Sequence, residues 1–201
     1  RKEISLETPL VIQEEHLDKN FGTLWQKGAG TSMSVRELLS ATLRESDNTA
    51  YRVLLDQLTA REVNDVYRNL DIAVQEEKDN KGTLYPTVSP KNYSSIFRSL
   101  YLSSFVSLEH SNFILEILTQ TPFADKIVAG VPPGTLVAHK IGVFSQKNTL
   151  EKIFVDCGII YVPNRSYILC AFVLDTEEQA RKHISIISKM AYGYIVRVKG
   201  G

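Results

Sequence analysis

The chain has 201 residues, of which 43% are hydrophobic and 23% are charged, so a single domain with a substantial core is expected. Basic and acidic residues number 23 each. The resulting zero net charge removes the usual electrostatic argument for a nucleic-acid partner or an anionic membrane surface. No apolar run approaches the length of a membrane span.

Most of the predicted helices lie in the first 125 residues, where they are separated by loops. Residues 1–33 lack sustained periodicity and contain the single tryptophan, Trp25, as an expected packing anchor. Residues 34–37 form a capping box that opens a helix ending near Ser46, and a second helix starts at about Thr49. Further helix starts are predicted at Thr59, Ser89, Ser107 and Thr176. The polar stretch 75–88 between them contains a turn at Lys81-Gly82.

Apolar periodicity assigns an inward face to four of the predicted helices. The inward residues are Ala50, Val53, Leu54 and Leu58; Ile96, Leu100 and Tyr101; Phe113, Ile114, Ile117 and Leu118; and Ala180, Ile184, Ile187, Ala191 and Tyr194.

Residues 135–141, 152–162 and 167–174 are rich in β-branched and aromatic residues and predict strands, the last two joined by a tight hairpin at 163–166. Cys157 and Cys170 are too few for a disulfide framework and are expected at core positions on neighbouring strands. This order of elements predicts a mixed α and β (α+β) fold, in which a helical cluster packs on an antiparallel sheet with a C-terminal helix. One domain is predicted over residues 1–201.

Two motifs carry the chemistry. Ser46-Asp47-Asn48 lies where one predicted helix ends and the next begins, and Ala138-His139-Lys140-Ile141-Gly142 lies on a predicted strand. Ser-x-x-Lys, Ser-Asp-Asn and Lys-Thr-Gly are the three signatures of penicillin-recognising serine enzymes. The chain has the second signature intact and a variant of the third.

This arrangement resembles the transpeptidase-like domain of class A β-lactamases and their relatives among penicillin-binding proteins and serine hydrolases. The match runs from about residue 28 to 174 and is strongest over 34–55 and 123–142. The resemblance implies that Ser46 relays a proton and that Asn48 binds the acyl amide of the substrate. It implies that Lys140 supplies positive charge beside the nucleophile and the substrate carboxylate.

The resemblance also implies that Gly142 allows close backbone approach to the substrate and that the Val143 N–H is an oxyanion-hole donor. Ile141 occupies a position where the family usually has threonine. Isoleucine cannot make the hydrogen bond of that hydroxyl to the substrate carboxylate, so recognition of D-alanyl-type substrates is in doubt.

Structural roles are the alternatives for these residues. Ser46 and Asn48 have the side chains that cap helices best, and Lys140 could be a solvated charge at a strand end. His139 is expected to be structural, because neighbouring strand residues face opposite ways. Surface positions are expected for His16 and Tyr85.

Two family motifs are absent from the sequence. No serine is followed by lysine three positions later, so this chain is expected to be the C-terminal part of a longer protein. A complementary N-terminal segment, or a homodimer, is expected to cover the open core. No Glu-x-x-Leu-Asn loop is found around residues 79–88, where the resemblance places the carboxylate that activates the deacylating water. Slow product release is therefore expected.

The function predicted from these residues is a bacterial serine hydrolase acting by acyl transfer on small amides, esters or cell-wall peptide-like substrates. The nucleophile lies outside the chain, and no metal or cofactor is called for. The resemblance implies a location outside the cytoplasm. A catalytically silent binding or scaffold module of the same fold is the alternative. Nucleic-acid binding has neither net charge nor basic clustering in its favour.

Overall fold

The computed structural model describes residues 4–87, 89–145 and 152–198. Contacts divide the chain into two compact units. Unit 1 lies within Arg1–Val66 and Glu76–Tyr85, and unit 2 lies within Tyr67–Gln75 and Pro86–Gly201. That residues 1–201 act as one domain stays a prediction.

Unit 1 is built from short strands and helices around a small apolar core. Its elements are β1 (Pro9–Val11), β2 (Ser32–Ser34), α1 (Val35–Glu45) and α2 (Asn48–Leu55). β1 pairs with β2 in antiparallel register. The buried core consists of Ile12, Leu24, Leu38, Ala50 and Val53. The chain passes between the two units within α3 (Ala60–Asn69), β3 (Val74–Lys78) and β4 (Leu84–Pro86).

The predicted capping box opens α1. The Ser34 hydroxyl accepts a hydrogen bond from the Glu37 N–H at 3.2 Å, and the Glu37 carboxylate accepts one from the Ser34 N–H at 2.7 Å. This reciprocal pair satisfies two backbone donors at the helix start. The β1–β2 pair was not predicted, since strands of three residues are too short to show an alternating pattern.

Unit 2 contains a three-stranded antiparallel sheet in the order β5-β6-β7. Its elements are α4 (Pro90–Tyr101), α5 (Leu108–Thr119), β5 (Val137–Ser145), β6 (Lys152–Ile160), β7 (Tyr167–Asp175) and α6 (Glu177–Arg197). Its apolar core brings together Ile127, Val131, Val137, Ile160, Ala171 and Ile184. The predicted mixed α and β fold, with consecutive antiparallel strands and a terminal helix, is confirmed.

The predicted inward faces are partly wrong. Ala50, Val53, Ile117, Leu118, Ala180 and Ile184 are buried, whereas Leu58, Ile96, Tyr101, Ile187 and Tyr194 are exposed. Apolar spacing identifies the apolar stripe of a helix, but whether anything covers that stripe depends on the neighbouring elements.

Contacts and exposure test three other sequence predictions. Cys157 and Cys170 face each other across β6 and β7, as neighbouring strands predict, and they form a disulfide. His16, expected at the surface, is buried, and its Nδ1 accepts a hydrogen bond from the Gln13 N–H at 2.9 Å. That prediction was wrong because nothing local indicates that residues 13–16 form a turn against α2. Tyr85 is exposed, as expected.

Candidate functional site

The Ser-Asp-Asn motif forms the junction between α1 and α2. Ser46 ends α1 in the left-handed conformation, with φ 57° and ψ 29°. Asp47 is the N-cap of α2, and its carboxylate accepts hydrogen bonds from the N–H groups of Ala50 at 2.9 Å and Leu24 at 2.8 Å. The side chain of Asp47, which the sequence analysis did not single out as a cap, therefore caps the start of α2. Asn48 is the first residue of α2.

A loop segment wraps the junction, and we call it the 18–24 segment. The Asn48 N–H donates to the Phe21 carbonyl at 3.1 Å. Gly22, at φ +84°, lies so close to Asp47 that an added Cβ would stand 2.1 Å from a carboxylate oxygen. Only glycine fits there without displacing the cap. The left-handed turn and the close approach together explain the glycine in Phe21-Gly22-Thr23.

Asp18, at the start of this segment, holds three groups of α2. Its carboxylate accepts from the Asn48 side-chain amide at 3.3 Å and pairs with Arg52 at 2.5 Å. Its backbone N–H donates to the Thr49 hydroxyl at 3.0 Å. Burial opposes ionisation of Asp18, but hydrogen bonds from Asn20 and Asn48 and the charge of Arg52 hold the pKa of this carboxyl below its ordinary value.

The Lys-x-Gly motif lies within β5, in unit 2. β5 extends to Ser145, so Lys140 lies in mid-strand and the alternative of a solvated strand-end charge is wrong. Lys140, Ile141 and Gly142 are half-buried, and Val143 is exposed. β5 is an edge strand of the described sheet, so alternate backbone groups in it point away from β6.

Burial changes the chemistry of Lys140. It lowers the pKa of the ammonium to about 8, and the negative charge of Asp156 opposes this change. A pKa of about 8 leaves the side chain mostly protonated at neutral pH, yet able to lose its proton in mildly alkaline solution. The Nζ donates to the Ile141 carbonyl at 3.0 Å.

His139 lies on the buried side of β5, as expected for a structural residue. Its Nδ1 is 2.7 Å from a carboxylate oxygen of Asp156, and both side chains are at most 1% exposed. The other Asp156 oxygen accepts from the Ile127 N–H at 3.0 Å. The Ile127 carbonyl in turn accepts from the Ser188 hydroxyl at 2.8 Å. This chain of bonds links β5, β6, the residue before a short 3₁₀ helix and α6.

The structure groups the predicted site residues into two sets. Ser46 and Asn48 meet at the helix junction of unit 1, and Lys140, Ile141, Gly142 and Val143 follow one another along β5 of unit 2. Sequence reasoning missed Asp18 and Arg52 on the first set and Asp156 on the second. The glycine of the 18–24 segment was the one local signal of a close approach.

Residues 4–87, 89–145 and 152–198 were also searched for a metal-binding group of side chains and for a membrane-spanning helix. In these ranges no group of three or more His, Cys, Asp or Glu side chains is placed to hold a metal ion. None of the helices described there is long and apolar enough to cross a membrane.

Comparison with known proteins gives consistent matches. Residues 1–195 match the model of the "Beta-lactamase enzyme family". The chain is 26% identical to "Beta-lactamase 3" of Bacillus cereus over 80% of its own length, and it spans 52% of that relative. It is 27% identical to a β-lactamase of Phocaeicola vulgatus over 98% of its length, spanning 68% of that protein.

Solved structures match at lower identity. A penicillin-G acyl-enzyme complex of a PBP-A variant superposes with a TM-score of 0.82 at 21% identity, covering 97% of this chain and 74% of the other. The TLA-1 extended-spectrum β-lactamase gives a TM-score of 0.80 at 21% identity, covering 96% and 76%. At such identities the likeness establishes the fold alone.

Proposed function

This chain belongs to the β-lactamase enzyme family, and we propose that it is the C-terminal part of a serine hydrolase that acts by acyl transfer. The substrates are small amides or esters and cell-wall peptide-like molecules. The chain spans about half the length of the Bacillus cereus relative, and its sequence holds no Ser-x-x-Lys. The nucleophile therefore comes from a segment outside residues 1–201.

The partial burial of Lys140 is the observation that supports this proposal most directly. A half-buried ammonium whose pKa is about 8 remains cationic at neutral pH. Such a cation favours a serine alkoxide and attracts a substrate carboxylate, and its partial removal from water strengthens both effects. A solvated lysine would do neither as well, which is why burial of this side chain favours a reactive site.

The remaining residues take roles consistent with their positions. Ser46 relays a proton toward the leaving nitrogen, and Asn48 binds the substrate amide. Gly142 and the backbone N–H of Val143 lie on an edge strand, where alternate donors are available to a substrate oxyanion.

Slow release of the acyl group is part of the proposal. Residues 79–88 are the region where the resemblance places the carboxylate that activates the deacylating water. Within it, Asp79 accepts hydrogen bonds from the N–H groups of Thr83 and Lys81 in its own turn, at 2.8 Å each. The Thr83 bond is the main cause that lowers the pKa of Asp79, so this carboxyl is a poor base for activating water. Val88, which closes the region, lies outside the described residues.

Ile141 narrows the substrate range. Its side chain cannot donate to a substrate carboxylate, and a hydrogen bond to a charged group is typically worth about 1.5–3 kcal/mol. Substrates that depend on that contact are expected to bind weakly. Replacing Ile141 by threonine should raise the rate of penicillin acylation, and an unchanged rate would contradict this reasoning.

The two remaining elements of the proposal concern location and the missing segment. The Cys157–Cys170 disulfide is typical of oxidising compartments and supports a location outside the cytoplasm. In the described sheet β7 pairs on one side only, and α6 exposes Met190 and Tyr194. An open strand edge and exposed apolar side chains support coverage by a complementary N-terminal segment or by a second copy.

The experiment is covalent labelling of the full-length protein that contains this chain. Incubation with a fluorescent penicillin should give an intact-mass adduct that persists for hours, and Lys140→Ala should label far more slowly. Rapid turnover of a chromogenic cephalosporin would contradict slow release.

A catalytically silent module is the second candidate, favoured by the missing Ser-x-x-Lys and by Ile141. It predicts no adduct at any penicillin concentration. If the sequence upstream of residue 1 in the full-length protein contains no Ser-x-x-Lys, the silent module is favoured before any labelling is done.

A further inference from the structure

Asp18 is a buried carboxylate that the proposed function does not use. It is 6% exposed, and it lies 30 residues before Asn48, on a different element. Its two oxygens have separate partners. Oδ1 accepts from the Asn20 N–H at 2.7 Å and from Asn48 Nδ2 at 3.3 Å, while Oδ2 pairs with Arg52.

The chemistry of this pair determines which end of the Asn48 amide faces Asp18. An ionised carboxylate accepts hydrogen bonds but cannot donate them. Burial raises the pKa of Asp18, but Asn20, Asn48 and Arg52 lower it more, so the group is ionised at neutral pH. The Asn48 nitrogen must therefore point toward Asp18, and its carbonyl oxygen must point away.

The position of Asp18 is itself well determined. Thr49 and Asp18 exchange hydrogen bonds, with the Asp18 N–H donating to the Thr49 hydroxyl at 3.0 Å and the hydroxyl donating to the Asp18 carbonyl at 3.4 Å. Farther along the 18–24 segment, the Asn48 N–H binds the Phe21 carbonyl. The carboxylate is therefore anchored to the same helix start whose side chain it contacts.

We propose that Asp18 is a positioning residue that holds the side-chain amide of Asn48 in one orientation before substrate binds. The role of Asn48 in binding a substrate amide rests on the proposed function; the orientation of its side chain does not. A residue oriented in advance loses less conformational freedom on binding. Asp18 is accordingly expected to affect substrates that carry an acyl side-chain amide and to spare those that lack one.

The first test needs no substrate. In the ¹⁵N-labelled full-length protein that contains this chain, the Asn48 side-chain amide should give two well-separated proton signals with slowed hydrogen exchange. Asp18→Ala should move both proton signals to the chemical shifts of a solvent-exposed asparagine amide and should speed their hydrogen exchange at least tenfold. Asp18→Asn, which keeps an acceptor oxygen of the same size, should have an intermediate effect. Unchanged Asn48 signals in both variants would overturn the proposal, and either variant alone is sufficient if the other does not fold.

Arg52→Gln separates positioning from stability. It removes the ion pair but leaves the Asp18 carboxylate in contact with Asn48. The Asn48 signals should persist in this variant even though its melting temperature falls. Loss of the signals in Arg52→Gln to the same extent as in Asp18→Ala would show that Asp18 acts only through the ion pair, and this result would overturn the positioning role.

The second test compares two acylating compounds on the full-length protein. Benzylpenicillin carries an acyl side-chain amide, and 6-aminopenicillanic acid has an amine in its place. Asp18→Ala should lower the acylation rate with benzylpenicillin about tenfold and change the rate with 6-aminopenicillanic acid less than twofold. Equal losses with both compounds would indicate general damage to the site and would contradict the proposal.

Asp56→Ala is the matched control. Asp56 is a half-exposed carboxylate at the opposite end of α2, where it pairs with Lys81, and its loss should leave both rates unchanged. Failure of the wild-type protein to react with either compound would refute the proposed function. The Asn48 signals would still decide the role of Asp18 in that case.

Discussion

Each unit contains a buried aspartate beside candidate site residues, Asp47 at the helix junction of unit 1 and Asp156 on β6, next to β5, in unit 2, but the two carboxylates are stabilised differently. Asp47 is neighboured by neutral backbone donors, the N–H groups of Leu24 and Ala50. Asp156 has one such donor, from Ile127, and a buried histidine, His139. The first carboxylate is stabilised by groups that any residue carries, whereas the second depends on one particular side chain.

This difference indicates how the two sets of candidate residues should respond to substitution. At the junction, geometry comes from hydrogen bonds within a helix start, and one glycine makes room for them. On β5, the properties of Lys140 come from burial and from the Asp156 charge. Substitutions at the junction should therefore change local geometry, and substitutions around β5 should change stability and protonation.

Removing the histidine should have the largest effect. His139→Leu removes the side-chain partner of the buried Asp156 carboxylate, and breaking a buried pair by removing one partner costs about 3–5 kcal/mol. Urea unfolding should show this loss. The double variant His139→Leu with Asp156→Leu should recover part of it, because the carboxylate is removed with its partner, although the Ile127 N–H then loses its acceptor. A loss below about 1 kcal/mol in the single variant would contradict this account of β5.

Removing the cap should have the next largest effect. Asp47→Ala deprives the Leu24 and Ala50 N–H groups of their acceptor, with an expected loss of about 2–3 kcal/mol in the free energy of unfolding. Asp47→Asn retains an acceptor oxygen and should lose about half as much. Equal losses in the two variants would show that the charge, not the acceptor, is what the junction needs.

The pH dependence of stability tests the state of Lys140. Its pKa of about 8 in the folded protein lies below the ordinary lysine value. Between these two values the unfolded chain binds the proton more tightly, so this group makes the free energy of unfolding rise as pH increases from about 8 to 10.5. The expected rise is on the order of 3 kcal/mol.

A variant without Lys140 isolates the contribution of this side chain to the pH dependence. Lys140→Met should lack the alkaline rise and should be the more stable protein at neutral pH, since it buries no charge. Parallel pH profiles for the two proteins would indicate that Lys140 titrates as an ordinary surface lysine.

Removing the side-chain caps at the starts of α1 and α6 should have the smallest effect. Ser34→Ala in unit 1 and Thr176→Ala in unit 2 each remove one side-chain acceptor at a helix start. Each should cost about 1 kcal/mol, because capping depends on local geometry and not on the unit in which it occurs. Thermal melts that differ strongly between the two variants would show that surroundings matter even at these starts.

The sequence alone was sufficient for the features that depend on neighbours along the chain. The capping boxes predicted α1 and α3, and Ser89-Pro90 predicted α4, because these hydrogen bonds join residues three apart. The three strands of unit 2 followed from their content of β-branched and aromatic residues, and the mixed fold followed from the order of the elements. The two motifs were found because each is a short contiguous segment.

Features that depend on residues far apart in the sequence required the folded structure. Asp18 reaches Asn48 across 30 residues, and His139 meets Asp156 across 17. The lowered pKa of Lys140 follows from burial, and burial is a property of the packed chain. Sequence periodicity also left open which apolar stripes are covered, so Tyr194 was expected inside and lies outside. The local sequence determines hydrogen bonds between residues that are close along the chain, whereas burial and long-range charge pairs exist only once the chain has folded.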